Sequence, residues 1–169
     1  MYKRKASSKR IAVVFVSLLS AYLCGFRGCE PAPSFRVLQV EYGVPDFVST
    51  PDRAKVWITV HFSEKVNSST VNVNTFLVGV KNISTGEDAS HIDPYQYHHA
   101  PSGDVIVFES RDKLEDIVTL HEGDRIKYTV NIKGESYGVM SAGNVILDGD
   151  NDNIPGGAKH WQWEQQIVW

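Results

Sequence analysis

Residues 54–78 read AKVWITVHFSEKVNSSTVNVNTFLV. In the first nine of these, Val56, Ile58, Val60 and Phe62 alternate with Trp57, Thr59 and His61. Side chains along a strand point to opposite faces in turn. A period of two in branched and aromatic residues therefore predicts a strand with one face in a core and Trp57 on the other. A polar turn follows, and TFLVGVKNI (75–83) then places Phe76, Val78 and Val80 on one face. The same reading extends outward to FRVLQVEY (35–42), DVIVFES (104–110) and RIKYTVNIKG (125–134). In HWQWEQQIVW (160–169), Trp161, Trp163, Ile167 and Trp169 align, with Gln165 as the exception. Turn signals separate the runs: Val44-Pro45-Asp46, Thr50-Pro51-Asp52, Ser84-Thr85-Gly86, Pro101-Ser102-Gly103 and Glu122-Gly123-Asp124. Only DKLEDIVTL (112–120) suits a helical turn, with Leu114, Ile117 and Val118 sharing a face. Six or seven strands, regular turns and no long helix predict an all-β sandwich.

The first 28 residues differ in kind. MYKRKASSKR (1–10) is basic, IAVVFVSLLSAYLCGF (11–26) is apolar, and Arg27, Gly28 and Cys29 follow. A basic start, an apolar run and a small residue describe a secretory signal. The apolar run is short against the ~20 residues of a spanning helix, and an uncleaved anchor is the alternative. Gly28-Cys29 resembles the end of a lipoprotein signal, in which Cys29 is lipidated and becomes the first residue. The other reading of Cys24 and Cys29 is a pair of signal residues or a small disulfide. Lipidation with Glu30 next in line implies sorting to the outer membrane of a diderm cell. The expected organisation is a signal peptide at 1–28, a tether at 29–34 and one domain at 35–169.

Six of the 17 basic residues and none of the 20 acidic ones lie in residues 1–28, leaving 11 basic and 20 acidic residues, a charge of −9, beyond it. Such a domain repels nucleic acid and anionic lipid surfaces, so membrane contact is expected only through the signal or a lipid anchor. It is a plausible host for divalent cations.

Two motifs in order carry a family resemblance. VWITVHFSEKVNSSTVNVNTFLV (56–78) resembles the opening of an SbsA-type bacterial immunoglobulin-like domain. Its marks are a strand ending in Phe62-Ser63-Glu64, then Lys65-Val66, a polar turn and Thr75-Phe76. YTVNIKG (128–134) and GVMSAGNVILDGDNDNIPGG (138–157) are similar to the far end of such domains. There a Tyr-bearing strand leads to a Gly-Asn turn, an Asp-Gly loop and a final aromatic strand. The resemblance covers residues 35–169. It implies an immunoglobulin-like β-sandwich of about seven antiparallel strands. It also implies an envelope or extracellular module of structural or adhesive kind, without catalysis, whose partner is an envelope protein or glycan. The segment 84–103, with His91, Tyr95, Tyr97, His98 and His99, lies outside both motifs.

Within ILDGDNDNIPGG (146–157), Asp148, Asp150 and Asp152 match positions 1, 3 and 5 of a calcium loop, and the Ile154 carbonyl matches position 7. Asn153 stands where that loop has Gly, and Asn tolerates a left-handed backbone. Lys159 stands where it has the bidentate Glu, and Glu164 is too far along. Calcium, held weakly, is one expectation. A polar turn tightened by Asx side chains is the other.

Four further patterns weigh less. GESYG (134–138) fits the Gly-x-Ser-x-Gly of serine hydrolases, with Asp148 and His160 following Ser136 in order. No helix-forming run follows the serine, so a Gly-rich turn is expected. His91, His98, His99 and His121 have no compact metal-site spacing and read as loop histidines. Trp57, Tyr95 and Tyr97 form a candidate aromatic platform for a glycan, the alternative to a purely structural role. Asn67-Ser-Ser and Asn82-Ile-Ser fit the glycosylation pattern by chance in a bacterial setting.

Overall fold

The computed structural model describes residues 34–43 and 55–168. The signal, Cys24, Cys29, most of the tether, the turns within 44–54 and Trp169 lie outside the described residues. Among the described residues eight strands form: β1 (Val37–Gly43), β2 (Lys55–Phe62), β3 (Phe76–Asn82), β4 (Asp88–Ala89), β5 (Pro94–His99), β6 (Val105–Lys113), β7 (Arg125–Lys133) and β8 (Ala158–Gln166). They make two antiparallel four-stranded sheets, ordered β1-β2-β6-β5 and β4-β3-β7-β8. The fold is an all-β sandwich. Among the described residues no helix is long and apolar enough to cross a membrane.

The alternation read from the sequence holds in β2, β3 and β7, whereas β1 loses it at a register shift between Val37 and Gln39. Val56, Ile58, Val60 and Phe62 are buried, as are Phe76, Val78 and Val80, and Ile126, Tyr128, Val130 and Ile132. Each fully buried large side chain contributes roughly 1.5–3 kcal/mol relative to exposure. Leu114 and Val118 are buried beside a single helical turn, Leu114–Ile117, and Ile117 packs against the core. Gln165, the exception in the last strand, keeps the inward phase and is half-buried.

The two strands beyond the expected set both come from segment 84–103. Ala89 pairs with Val80 at the edge of the second sheet. The chain then crosses over, and β5 joins the first sheet beside β6. Buried Ile92 plugs the crossing, and its N–H donates to the Val78 carbonyl at 2.8 Å. This strand switch explains why neither half shows a clear period: each pairs on one side only. Below it, Asn82 is fully buried and bonds the Thr119 carbonyl and Asp124 Oδ2, both at 2.8 Å.

Candidate functional site

The loop after β7 is built by backbone before side chains enter. Leu147 is fully buried, and the Asp148 N–H donates to the Phe35 carbonyl at 2.7 Å, tying the loop to the chain's approach to β1. The Gly149 N–H reaches the Gly156 carbonyl and the Gly134 N–H the Gly157 carbonyl, each at 2.7 Å. Residues 148–157 thus form a ring with clamped ends. Inside it the backbone turns left-handed at Asn151 (φ 61°) and Asn153 (φ 68°), a conformation Asn adopts at low cost.

The three aspartates converge: one carboxylate oxygen from each of Asp148, Asp150 and Asp152 lies within 4.8 Å of the others. Asp148 is 1% exposed, and its oxygens accept the N–H groups of Asp152 (3.2 Å) and Asn153 (3.0 Å). Asp152 accepts the Ile154 N–H at 2.7 Å. These are the Asx bonds of the polar-turn reading, so the carboxylates both close the turn and face one another. Exposed Asp150 folds over Gly157, where a Cβ would come within 3.0 Å of its Oδ2. Among the described residues no basic side chain pairs with any of the three. Lys159 sits over the Trp161 ring, 4.9 Å from its centroid, and Glu164 pairs with Arg125. Neither the residue at position 12 nor the nearby Glu turns to the loop. A hard cation there would take oxygens from the three aspartates and complete its shell with water.

The aromatic platform is not assembled. The register slips between Pro94 and Gln96, leaving Tyr95 without a partner in the ladder. A bulge of this kind breaks the period of two. Tyr95 therefore projects outward, 61% exposed, while Tyr97 turns into the core. The Tyr97 ring meets Phe108 edge-on, and its hydroxyl donates to the Phe76 carbonyl at 3.0 Å. Burial pushes the Tyr97 hydroxyl pKa well above its ordinary value. Trp57 does face outward, but its ring lies parallel to that of His98, with centroids 6.1 Å apart.

No protein-family model and no curated protein matches this chain. Two solved structures resemble it in backbone. One is the N-terminal part of the bacterial S-layer protein SbsC, at TM-score 0.46 and 15% identity, over 88% of this chain and 28% of that one. The other is surface layer protein SbsC, domains 1–6, at TM-score 0.45 and 14% identity, over 87% of this chain and 16% of that one. The chain thus spans less than a third of either structure.

The remaining candidates separate. Ser136 stands in an exposed turn closed by a bond from the Gly138 N–H to the Glu135 carbonyl, with no helix after it. A nucleophile elbow is absent there, and Asp148 is committed to its own loop. The histidines are dispersed: His91 stands 3.7 Å from Asp93, His121 pairs with Asp124, and His98 and His99 belong to strand β5 rather than a loop. Among the described residues the aspartate trio alone has the proximity of a metal-ligand group.

Proposed function

We propose that residues 35–169 form a non-catalytic immunoglobulin-like module of the SbsA type. It works outside the inner membrane, in a structural or adhesive role, and is stiffened by calcium at the 148–157 loop. The observation that carries the calcium reading is the convergence of Asp148, Asp150 and Asp152, with no basic side chain among the described residues paired to them. Three carboxylates this close repel one another unless a cation or protons intervene. A cation would join the chain's approach to β1 to the β7–β8 connection, because Asp148 is bonded to Phe35. The basic-apolar start supports export, and Gly28-Cys29 supports lipid anchoring at the envelope, with an envelope protein or glycan as partner. The turn at Ser136 favours this reading over a hydrolase.

The test is a thermal melt of the chain in chelator and then in millimolar calcium. A ligand binding only the folded state stabilises it by about 2.7 kcal/mol at a hundredfold excess over Kd. The melting temperature is expected to rise with calcium and not with magnesium, and Asp150→Ala should abolish the rise. Asp150 is exposed and among the described residues makes no hydrogen bond, and its removal relieves repulsion, so the variant should be at least as stable as the parent in chelator. A chain that melts identically in both media sinks the calcium reading.

A further inference from the structure

The outer face of the second sheet carries a trough of about 530 Å³. The register explains its shape. Gly79, Thr129 and Gln162 lie side by side across β3, β7 and β8, and Leu77, Asn131 and His160 form the next row. All six line the trough. Gly79 makes the floor: a Cβ there would lie 2.8 Å from Thr129 Oγ1 and 2.9 Å from the Ser90 carbonyl oxygen. Ser90, on the crossing segment, forms a wall.

The lining is uncharged. Its polar side chains are two amides, two hydroxyls, an imidazole and an indole, with no carboxylate, ammonium or guanidinium. Among the described residues none of the Thr129, Asn131, His160 and Gln162 side chains has a hydrogen-bond partner. Asn131 Oδ1 is buried with its acceptor capacity unused. A buried polar atom left unpaired costs roughly 1–3 kcal/mol; Oδ1 is closed to solvent, so a ligand's donor reaches it only when the amide turns outward. A second depression, lined by Lys81, Asp88 and Lys127, shares Ser90 and Thr129 with the first and extends the path along the face.

The geometry points to a binding site for a neutral glycan in this trough. An anion would meet no cation in it. An aliphatic ligand would bury the amides unpaired. Sugar hydroxyls both donate and accept, matching amide and hydroxyl side chains, while sugar C–H groups suit Leu77 and the His160 ring. On β7 the backbone is paired on both sides, so recognition there falls to the side chains, while β8 is an edge strand paired only with β7. The proposal names the site at which the module would meet a glycan partner, and it rests on the extracellular reading but not on calcium.

The test uses an array of neutral and acidic oligosaccharides, followed by calorimetric titration of the neutral glycan bound best. Thr129→Val keeps the shape and β propensity while removing the hydroxyl, and Gln162→Ala trims an exposed amide. Each is expected to weaken binding about tenfold, the worth of one good hydrogen bond, with unchanged melting temperature. Trp57→Ala, on the other sheet, should bind as the parent does. Binding that survives both trough variants, a preference for acidic glycans alone, or no glycan bound at all overturns the proposal. The calcium melt is read separately, so either idea can fail without the other.

Discussion

The centres of the two outer faces treat polar side chains in opposite ways, although the first face leaves His61 Nε2 without a hydrogen bond and the second ties Lys81 to Asp88 and Arg125 to Glu164. At the centre of the first sheet the polar groups are tied to one another. Glu109, 8% exposed, receives Lys55 Nζ and His98 Nε2, each at 2.9 Å. Trp57 covers His98, Lys55 lies over Tyr95, and Gln39 bonds Glu41 at 2.9 Å. The Gln96 amide also reaches His98 Nε2, at 2.8 Å. One nitrogen cannot donate to Glu109 and accept from Gln96, so Gln96 presents its oxygen when Nε2 carries the proton. On the second sheet, the central rows hold amides and hydroxyls with no partners around a missing side chain at Gly79. A face whose polar groups satisfy one another has little left to offer a ligand. A face whose groups are free has paid no ordering entropy to hold them together and keeps its hydrogen-bonding capacity for a visitor.

The largest expected effect comes from filling the second face. Gly79→Ala sets a methyl against the Ser90 carbonyl and Thr129 in a central strand. Overpacking of this kind costs typically about 1–3 kcal/mol, and it also closes the trough. Denaturant unfolding would measure the loss. A neutral or stabilised Gly79→Ala would mean that the strand shifts freely, and the trough would lose its defining feature.

A smaller effect is expected on the tied face. Glu109→Gln keeps the shape and removes the charge that holds Lys55 and His98, for a loss of roughly 1–2 kcal/mol at neutral pH. Burial acts to raise the Glu109 pKa, but hydrogen bonds from His98 and Lys55 outweigh it and hold the value below the ordinary 4.5. A depressed folded-state pKa contributes stability above the unfolded value, and that share disappears as pH falls through the folded value. Parent and variant should therefore differ in melting temperature at pH 7 and converge below the folded-state pKa. A gap that persists at low pH would place the effect in packing rather than charge.

Much of this architecture is legible in the sequence because half-buried strands write their burial as a period of two. The strands at 55–62, 76–82 and 125–133 carry it without interruption. Strand β5 does not, because PYQYHH is polar, lies at a sheet edge and contains a bulge. That bulge also defeats the pairing of Tyr95 with Tyr97: residues two apart share a face only where the ladder is regular. The aspartate trio was visible from its spacing, since alternate residues in a tight loop bring carboxylates together. Its use of backbone N–H groups fits the Asx reading of the same residues. The trough was not anticipated. Its one sequence signal is Gly79 in the middle of TFLVGVKNI, since a glycine inside a strand marks close approach by another backbone or a ligand. The polar residues around it come from three strands distant in sequence, and only the register brings them into adjacent rows.

The smallest expected effect decides the most about the comparison. Asn131 sits beside His160 in the ladder, half-buried, with Oδ1 enclosed and unpaired. A residue there for stability would be satisfied, and replacing it would destabilise the sheet. A residue there for a ligand carries its desolvation cost alone in the free protein. Asn131→Leu removes that cost and adds apolar contact of similar volume beside Leu77. It should leave stability unchanged or raise it by up to about 1 kcal/mol. The Glu109 change on the opposite face, also of a buried polar group, should lower it. Differential scanning calorimetry of the two variants puts opposite signs on the two faces. If Asn131→Leu destabilised the chain as Glu109→Gln does, the second face would be internally satisfied like the first. The unused hydrogen-bonding capacity that distinguishes it would then be gone.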